Sequence, residues 1–223
     1  MKYLTALKDV FEPQANAAHA APMKAYMKDR FKFLGIKTPV RRELTRDFIR
    51  ASGLPNMDIL PDLCRALWAE PCREYQYFGL DLLRRLQRKL TPDHLPLLEE
   101  LVLTQSWWDT VDMLAGRNVG DLLLRYPAVR DDTLAPWRQS DNLWLRRTAI
   151  LFQLHYKSDT DEKLLSAVIR ENLGSREFFI NKAIGWILRE YSKTAPQWVI
   201  HFVETTDLAP LSAREALKWL QKH

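Results

Sequence analysis

The chain has 223 residues, 47% of them hydrophobic and 27% charged, which is enough apolar material for a buried core and excludes disordered and fibrous classes. Seven Gly against 12 Pro argues against hairpin-rich and dinucleotide-binding folds, which use Gly in tight turns and phosphate loops, and favours an all-α fold. The formal net charge is +5, yet residues 1–50 carry 11 Lys or Arg against five acids. A polyanion such as nucleic acid is drawn to that end, with Arg84, Arg85, Arg88 and Lys89 as a second patch; a merely solvated surface is the other reading.

The two cysteines, Cys64 and Cys72, lack CxxC spacing and a neighbouring His, so neither a zinc site nor a disulfide framework is indicated. No apolar run reaches the ~18 residues of a membrane span, and MKYLTALKDVF lacks the features of a signal peptide. A soluble cytoplasmic protein is expected, with one domain over residues 1–223.

In chain order, helices are predicted over 2–11, 20–32, 39–51 and 57–69. Pro71 then opens CREYQYFGLDLLRRLQRK, Thr91 and Pro92 open DHLPLLEELVL, and Ser106 opens WWDTVDMLAG. Asp141 opens NLWLRRTAILFQLHYK, Thr160 opens DEKLLSAVI, Ser175 opens REFFINKAIGWILREYSK, and Ser212 opens AREALKWLQK. Each is a cap or proline followed by apolar residues at three-and-four spacing, and no alternating strand is found.

The starts at 71, 106, 141 and 175 recur at near-constant spacing with a shorter helix between them, the pattern of stacked HEAT-like helical hairpins in an α-solenoid. Such a stack lines a concave groove with one row of helices, so equal offsets fall on adjacent rungs. Six residues on from each start come Tyr77, Asp112, Arg147 and Asn181, polar or amphipathic groups in otherwise apolar helices. This row either faces a groove or is coincidence.

SWWDTVD holds two acids. Ser106 and Asp109 have the spacing of a capping box, which accounts for Asp109 structurally. Asp112 lies a turn deeper, four residues after Trp108 and on the same helix face, where a carboxylate calls for a cation; pairing with a core arginine is the competing explanation. LWLRRTAILFQL is apolar nearly all round yet contains Arg146 and Arg147, and a guanidinium there must meet a carboxylate, a phosphate or water. The repeat offset favours Arg147. Phe178, Lys182 and Trp186 form an aromatic–cation–aromatic stripe; core packing is its ordinary explanation, but Lys182 at its centre argues against full burial. P-loop, HExxH and GxSxG motifs are missing, and the five His are scattered without metal spacing.

From MKAYMKDRFKFLGIKTPVRR through SWWDTVD and LWLRRTAILFQL to FFINKAIGWILREYSKT, the chain resembles the AlkD-like DNA alkylation repair proteins, HEAT-like-repeat alkylpurine DNA glycosylases. The resemblance implies that Asp112 is the catalytic aspartate and Trp108 and Trp186 the groove tryptophans. It further implies that Arg147, with Arg146 as the alternative, contacts phosphate, and that Tyr26, Phe178 and Phe179 are further groove aromatics on DNA. The implied partner is double-stranded DNA containing alkylated bases, with no cofactor, metal or membrane, met by a monomer. The implied reaction releases 7-methylguanine and 3-methyladenine by hydrolysis of the N-glycosidic bond while the lesion stays stacked, unlike most base-modifying enzymes. One carboxylate suffices because a cationic base leaves without being protonated. The alternative is a non-catalytic HEAT-like scaffold that binds DNA or protein; an ordinary flipping glycosylase would need a helix-hairpin-helix, which is not found.

Overall fold

A first-turn proline or a side-chain cap marks many of the helix starts in the computed structural model, which describes residues 2–222. The described residues form α-helices joined by short turns, with one isolated bridge, Lys32 to Cys72, outside any strand. No described helix is long and apolar enough to cross a membrane. The chain divides into two compact units, Met1–Lys89 and Leu90–His223.

The first unit holds α1 (Lys2–Phe11), α2 (Ala17–Tyr26), α3 (Thr38–Ser52), α4 (Leu60–Ala69) and α5 (Arg73–Arg85). Its core is aromatic: Phe78 meets Phe48 and Phe11 edge-on, at 5.6 and 5.9 Å between centroids. Each ring buried this way stabilises by roughly 1.5–3 kcal/mol relative to exposure. The helix expected over 20–32 runs instead over Ala17–Tyr26, starting where the Asn16 side chain accepts from the His19 amide. It ends early because Lys28 and Asp29 take positive φ and the next segment has a competing partner. The buried Glu74 carboxylate accepts the backbone N–H groups of Leu34, Gly35 and Ile36 at 3.0, 2.9 and 3.2 Å. A carboxylate that takes three successive backbone donors competes with a further helical turn there.

The second unit begins with α6 (Leu95–Leu103), introduced by a reciprocal Thr91–His94 cap. It continues through α7 (Trp108–Met113), a π-helical segment (Leu114–Val119) and α8 (Gly120–Arg125). Then follow α9 (Arg130–Arg138), α10 (Leu143–Leu151), α11 (Glu162–Glu171), α12 (Phe178–Tyr191), α13 (Pro196–Thr205) and α14 (Pro210–Leu217). Helix α10 packs against α6, α7, α9 and α12, and α12 packs in turn on α14. The π segment ends at Gly120, where an added Cβ would lie 2.2 Å from the Phe152 carbonyl oxygen. That backbone approach is sealed by the Tyr156 hydroxyl, which donates to the Gly120 carbonyl at 2.7 Å.

The repeat is more regular than its caps suggest. Helices α5, α7, α10 and α12 start at Arg73, Trp108, Leu143 and Phe178, every interval being 35 residues. The Ser106–Asp109 capping box does not form: Trp107 is the N-cap without a side-chain cap bond, and the Ser106 hydroxyl donates back to Val102 at 2.6 Å. At α12 the Ser175 hydroxyl accepts the Glu177 amide at 3.2 Å. This turn delays the helix by a few residues, because a hydroxyl bonded to backbone two positions on competes with helix. The row of equal offset therefore reads Tyr77, Asp112, Arg147 and Lys182, with Lys182 in the place expected for Asn181. The Asn181 amide instead donates to its own loop at the Ser175 carbonyl, and its backbone carbonyl accepts the Ser212 hydroxyl of α14.

Candidate active site

Asp112 on α7 and Arg147 on α10 face each other one repeat apart. The Arg147 Nε donates to Asp112 Oδ1 at 2.7 Å and Nη2 to Oδ2 at 2.9 Å, a fork on both carboxylate oxygens. Its Nη1 donates to the Phe179 carbonyl, and the guanidinium lies 5.8 Å from the Phe179 ring centroid. The side chains are 5% and 12% exposed, so solvent screens the pair little and removing either partner strands a buried charge. Burial pushes the Asp112 carboxyl above the ordinary carboxylate range, against the opposing pull of the Arg147 hydrogen bonds and charge.

Beside this pair is a cavity of about 390 Å³. One wall is aromatic, from Trp108, Phe178, Phe179 and Trp186, with Arg147 among them. Asp112 itself is not part of that lining. Behind the wall, Trp107 and Trp144 pack on Phe179 with centroids 4.9 and 5.1 Å away, holding the ring whose backbone grips Arg147. Phe178 by contrast is 56% exposed, a large apolar side chain left at the surface.

The rest of the lining is charged, from Lys182, Arg189, Glu215 and Lys218, with Lys182 on the same α12 stripe as Phe178 and Trp186. Glu215 is buried and meets Lys182 at 3.0 Å, Arg189 at 2.9 Å and Lys218 as well. Burial raises its carboxyl, but the hydrogen bonds and charges of Lys218 and Lys182 outweigh it and hold the pKa at about 2. The sequence alone does not single out Arg189, Glu215 or Lys218. Arg189 lies seven residues after Lys182 on the same helix face, a signal that could have found it, but nothing local marks Glu215 as buried.

The other expected residues fall elsewhere. Arg146 donates to the Ser140 carbonyl at 2.7 Å and lines a separate surface hollow with Arg138 and Glu171. Tyr26 belongs to the first unit, where it is 68% exposed and lines a cavity of about 440 Å³ with Arg41 and Tyr77. The N-terminal cations are partly committed within that unit: Arg41 is buried on Asp81 at 2.6 Å, and Arg46 pairs with Asp47 and Glu43. Arg84, Arg85, Arg88 and Lys89 are exposed. Among the described residues no cluster of His, Cys, Asp or Glu could hold a metal ion.

A helical-repeat protein whose aromatic cavity is flanked by a buried carboxylate–guanidinium pair and a cationic wall has the features of a protein that acts on a polyanion. The chain belongs to the DNA alkylation repair enzyme family, whose profile matches residues 7–220. It is similar to a solved structure described as a predicted DNA alkylation repair enzyme from Enterococcus faecalis. That similarity is 35% identity and a TM-score of 0.86, covering 93% of this chain and 97% of the other. No curated protein matches it.

Proposed function

We propose that this protein is a DNA glycosylase that hydrolyses the N-glycosidic bond of cationic alkylpurines, 7-methylguanine and 3-methyladenine, in duplex DNA, in base excision repair. The observation that carries the reading is that cations hold both carboxylates of the site, Asp112 by Arg147 and Glu215 by Lys182, Arg189 and Lys218, in a member of a DNA alkylation repair family. Glu215 on the cavity wall stays ionised at any physiological pH, so it cannot protonate a leaving group. Asp112 is paired at both oxygens. A site with a stabilising carboxylate but no general acid suits a base that already carries positive charge and departs neutral.

As the C1′–N bond breaks, its electron pair leaves with the base and neutralises it, and positive charge grows on the deoxyribose. Asp112 stabilises that charge or orients the water whose oxygen bonds to C1′, while the water's proton passes to the carboxylate or to solvent. Trp108 and Trp186 present aromatic faces to the sugar, contacts that strengthen as it becomes cationic. Asp112 and Phe179 use three of the five N–H donors of Arg147. The flanking phosphate takes those that remain, so phosphate binding and the setting of Asp112 act on one guanidinium. The aromatic lining offers faces against which a sugar can rest, and the lesion stays stacked during excision, in the manner of HEAT-like repeat glycosylases.

The test is incubation with duplex containing 7-methylguanine and chromatography of the released base. Free 7-methylguanine, with no uracil from a matched uracil duplex, supports the reading. No release from folded protein that still binds the duplex points to a non-catalytic DNA-binding scaffold, for which the Asp112–Arg147 pair is only a structural ion pair.

A further inference from the structure

The Glu215 cluster is lopsided in charge and in burial. One carboxylate, 4% exposed, receives three cations whose side chains are 37%, 31% and 44% exposed. Neutralising Glu215 takes one cation; the other two leave a concentrated positive charge on the cavity wall. Elsewhere in the second unit, Arg125–Asp121 and Arg138–Glu171 match one cation to one carboxylate.

The helices are built to make this arrangement. Gly185 lies on α12 between Lys182 and Arg189, and a Cβ there would come within 2.5 Å of the Glu215 Cβ and 2.8 Å of the Ser212 carbonyl oxygen. The missing side chain lets α14 settle against α12, so that Glu215 meets the two α12 cations while Lys218, at the C-cap of α14, shares the Glu215 Oε1 with Lys182. Held by one buried anion, three long side chains forfeit most of their rotamer freedom before any ligand arrives, which lowers the ordering cost of binding. The cluster shares its cavity with Trp108 and Trp186, so apolar faces and a positive wall meet in one space, the combination that a sugar joined to a phosphate requires.

We propose that Lys182, Arg189 and Lys218, gathered by Glu215, seat one backbone phosphate of the DNA strand whose sugar lies against Trp108 and Trp186. The inference rests on the DNA-binding part of the reading above and not on base release. Glu215 is then a positioning residue: it touches no substrate and sets where the cations stand.

The test uses duplexes with a non-cleavable abasic analogue, in which each flanking phosphate is replaced in turn by a neutral methylphosphonate. Binding is measured over a range of salt for the wild-type protein, Lys218→Ala and Glu215→Gln, with thermal melting to establish that each variant is folded. Wild type is expected to lose affinity at one phosphate position. Lys218→Ala loses less or nothing at that same position, and its salt slope is shallower by about 0.9, the counterion share of one phosphate. Glu215→Gln also weakens binding there, although it makes the protein more positive. The seat is overturned if Lys218→Ala keeps the wild-type phosphate profile, or if Glu215→Gln binds as tightly as wild type or tighter. Failure of base release with this phosphate profile intact overturns the glycosylase reading alone; base release without the profile overturns the seat alone.

Discussion

The second unit contains two clusters built around a buried carboxylate, and they are organised in opposite ways. Asp112 meets one guanidinium in a closed fork, with both partners almost excluded from water. Glu215 meets three cations that remain partly exposed. In the first, charge is matched and the geometry is fully committed, so the pair has much to lose from any substitution. In the second, charge is in surplus and one arm can be lost without stranding the carboxylate. The same cavity is thus bordered by a closed ion pair, through Arg147, and by a cluster with cations in surplus.

The largest expected effect comes from breaking the closed fork. Asp112→Asn should lower excision of 7-methylguanine by roughly 10²-fold or more, the scale of one preorganised electrostatic group. Because the amide cannot satisfy the fork, it should also cost on the order of 3 kcal/mol of stability, the lower end of what breaking a buried pair costs. Base-release kinetics at a temperature where the variant is folded, together with denaturant unfolding, separate the two losses. Wild-type excision by Asp112→Asn would remove this carboxylate from the chemistry.

Arg147→Ala strips Asp112 of the partner that opposes the effect of burial, so the carboxyl should titrate still higher. Excision should fall at neutral pH and its acid limb should move to higher pH, measured as the pH–rate profile beside wild type. An unmoved acid limb would show that the pair does not control the protonation of Asp112.

Acid also sharpens the contrast in the wild-type protein. The Asp112 carboxyl sits above the ordinary range and that of Glu215 at about 2. On lowering pH, Asp112 protonates first and excision should fall while the α12–α14 junction is intact. Glu215, whose folded pKa is depressed, contributes stability that is fully present above the usual carboxylate pKa near 4.3 and is lost as pH falls toward 2. Base release and the fluorescence of the tryptophans, followed together between neutrality and pH 2, check the order; loss of fold before loss of activity would reverse the assignment.

The smallest effect is expected at Arg146→Ala, which removes a bond to the Ser140 carbonyl outside the cavity. It should cost about 0.5–1.5 kcal/mol of stability and leave the excision rate close to that of wild type. A deficit as large as that of Arg147→Ala would show that DNA engages the hollow around Arg146.

Much of this architecture is local and therefore legible in the residues. Asn16, Thr91, Asn142 and Asp161 accept or exchange hydrogen bonds at helix starts, because a cap is chemistry between neighbours two or three positions apart. The apolar spacing of the α5, α7, α10 and α12 segments specifies helices, and their recurrence specifies a repeat. The same one-dimensional information places Trp108 and Asp112 on one face and singles out Arg147 over Arg146 by offset. What only the tertiary structure decided is which charges meet. Asp112 and Arg147 are 35 positions apart, and Glu215 is 33 from Lys182 and 26 from Arg189; no local rule links them. Those partnerships depend on how closely two helices approach, on a missing Cβ at Gly185 and on a turn at Ser175 that shifts α12 until Lys182, not Asn181, occupies the row. Over such separations the interaction energy falls off within ångströms of misplacement, so only the packed chain determines it.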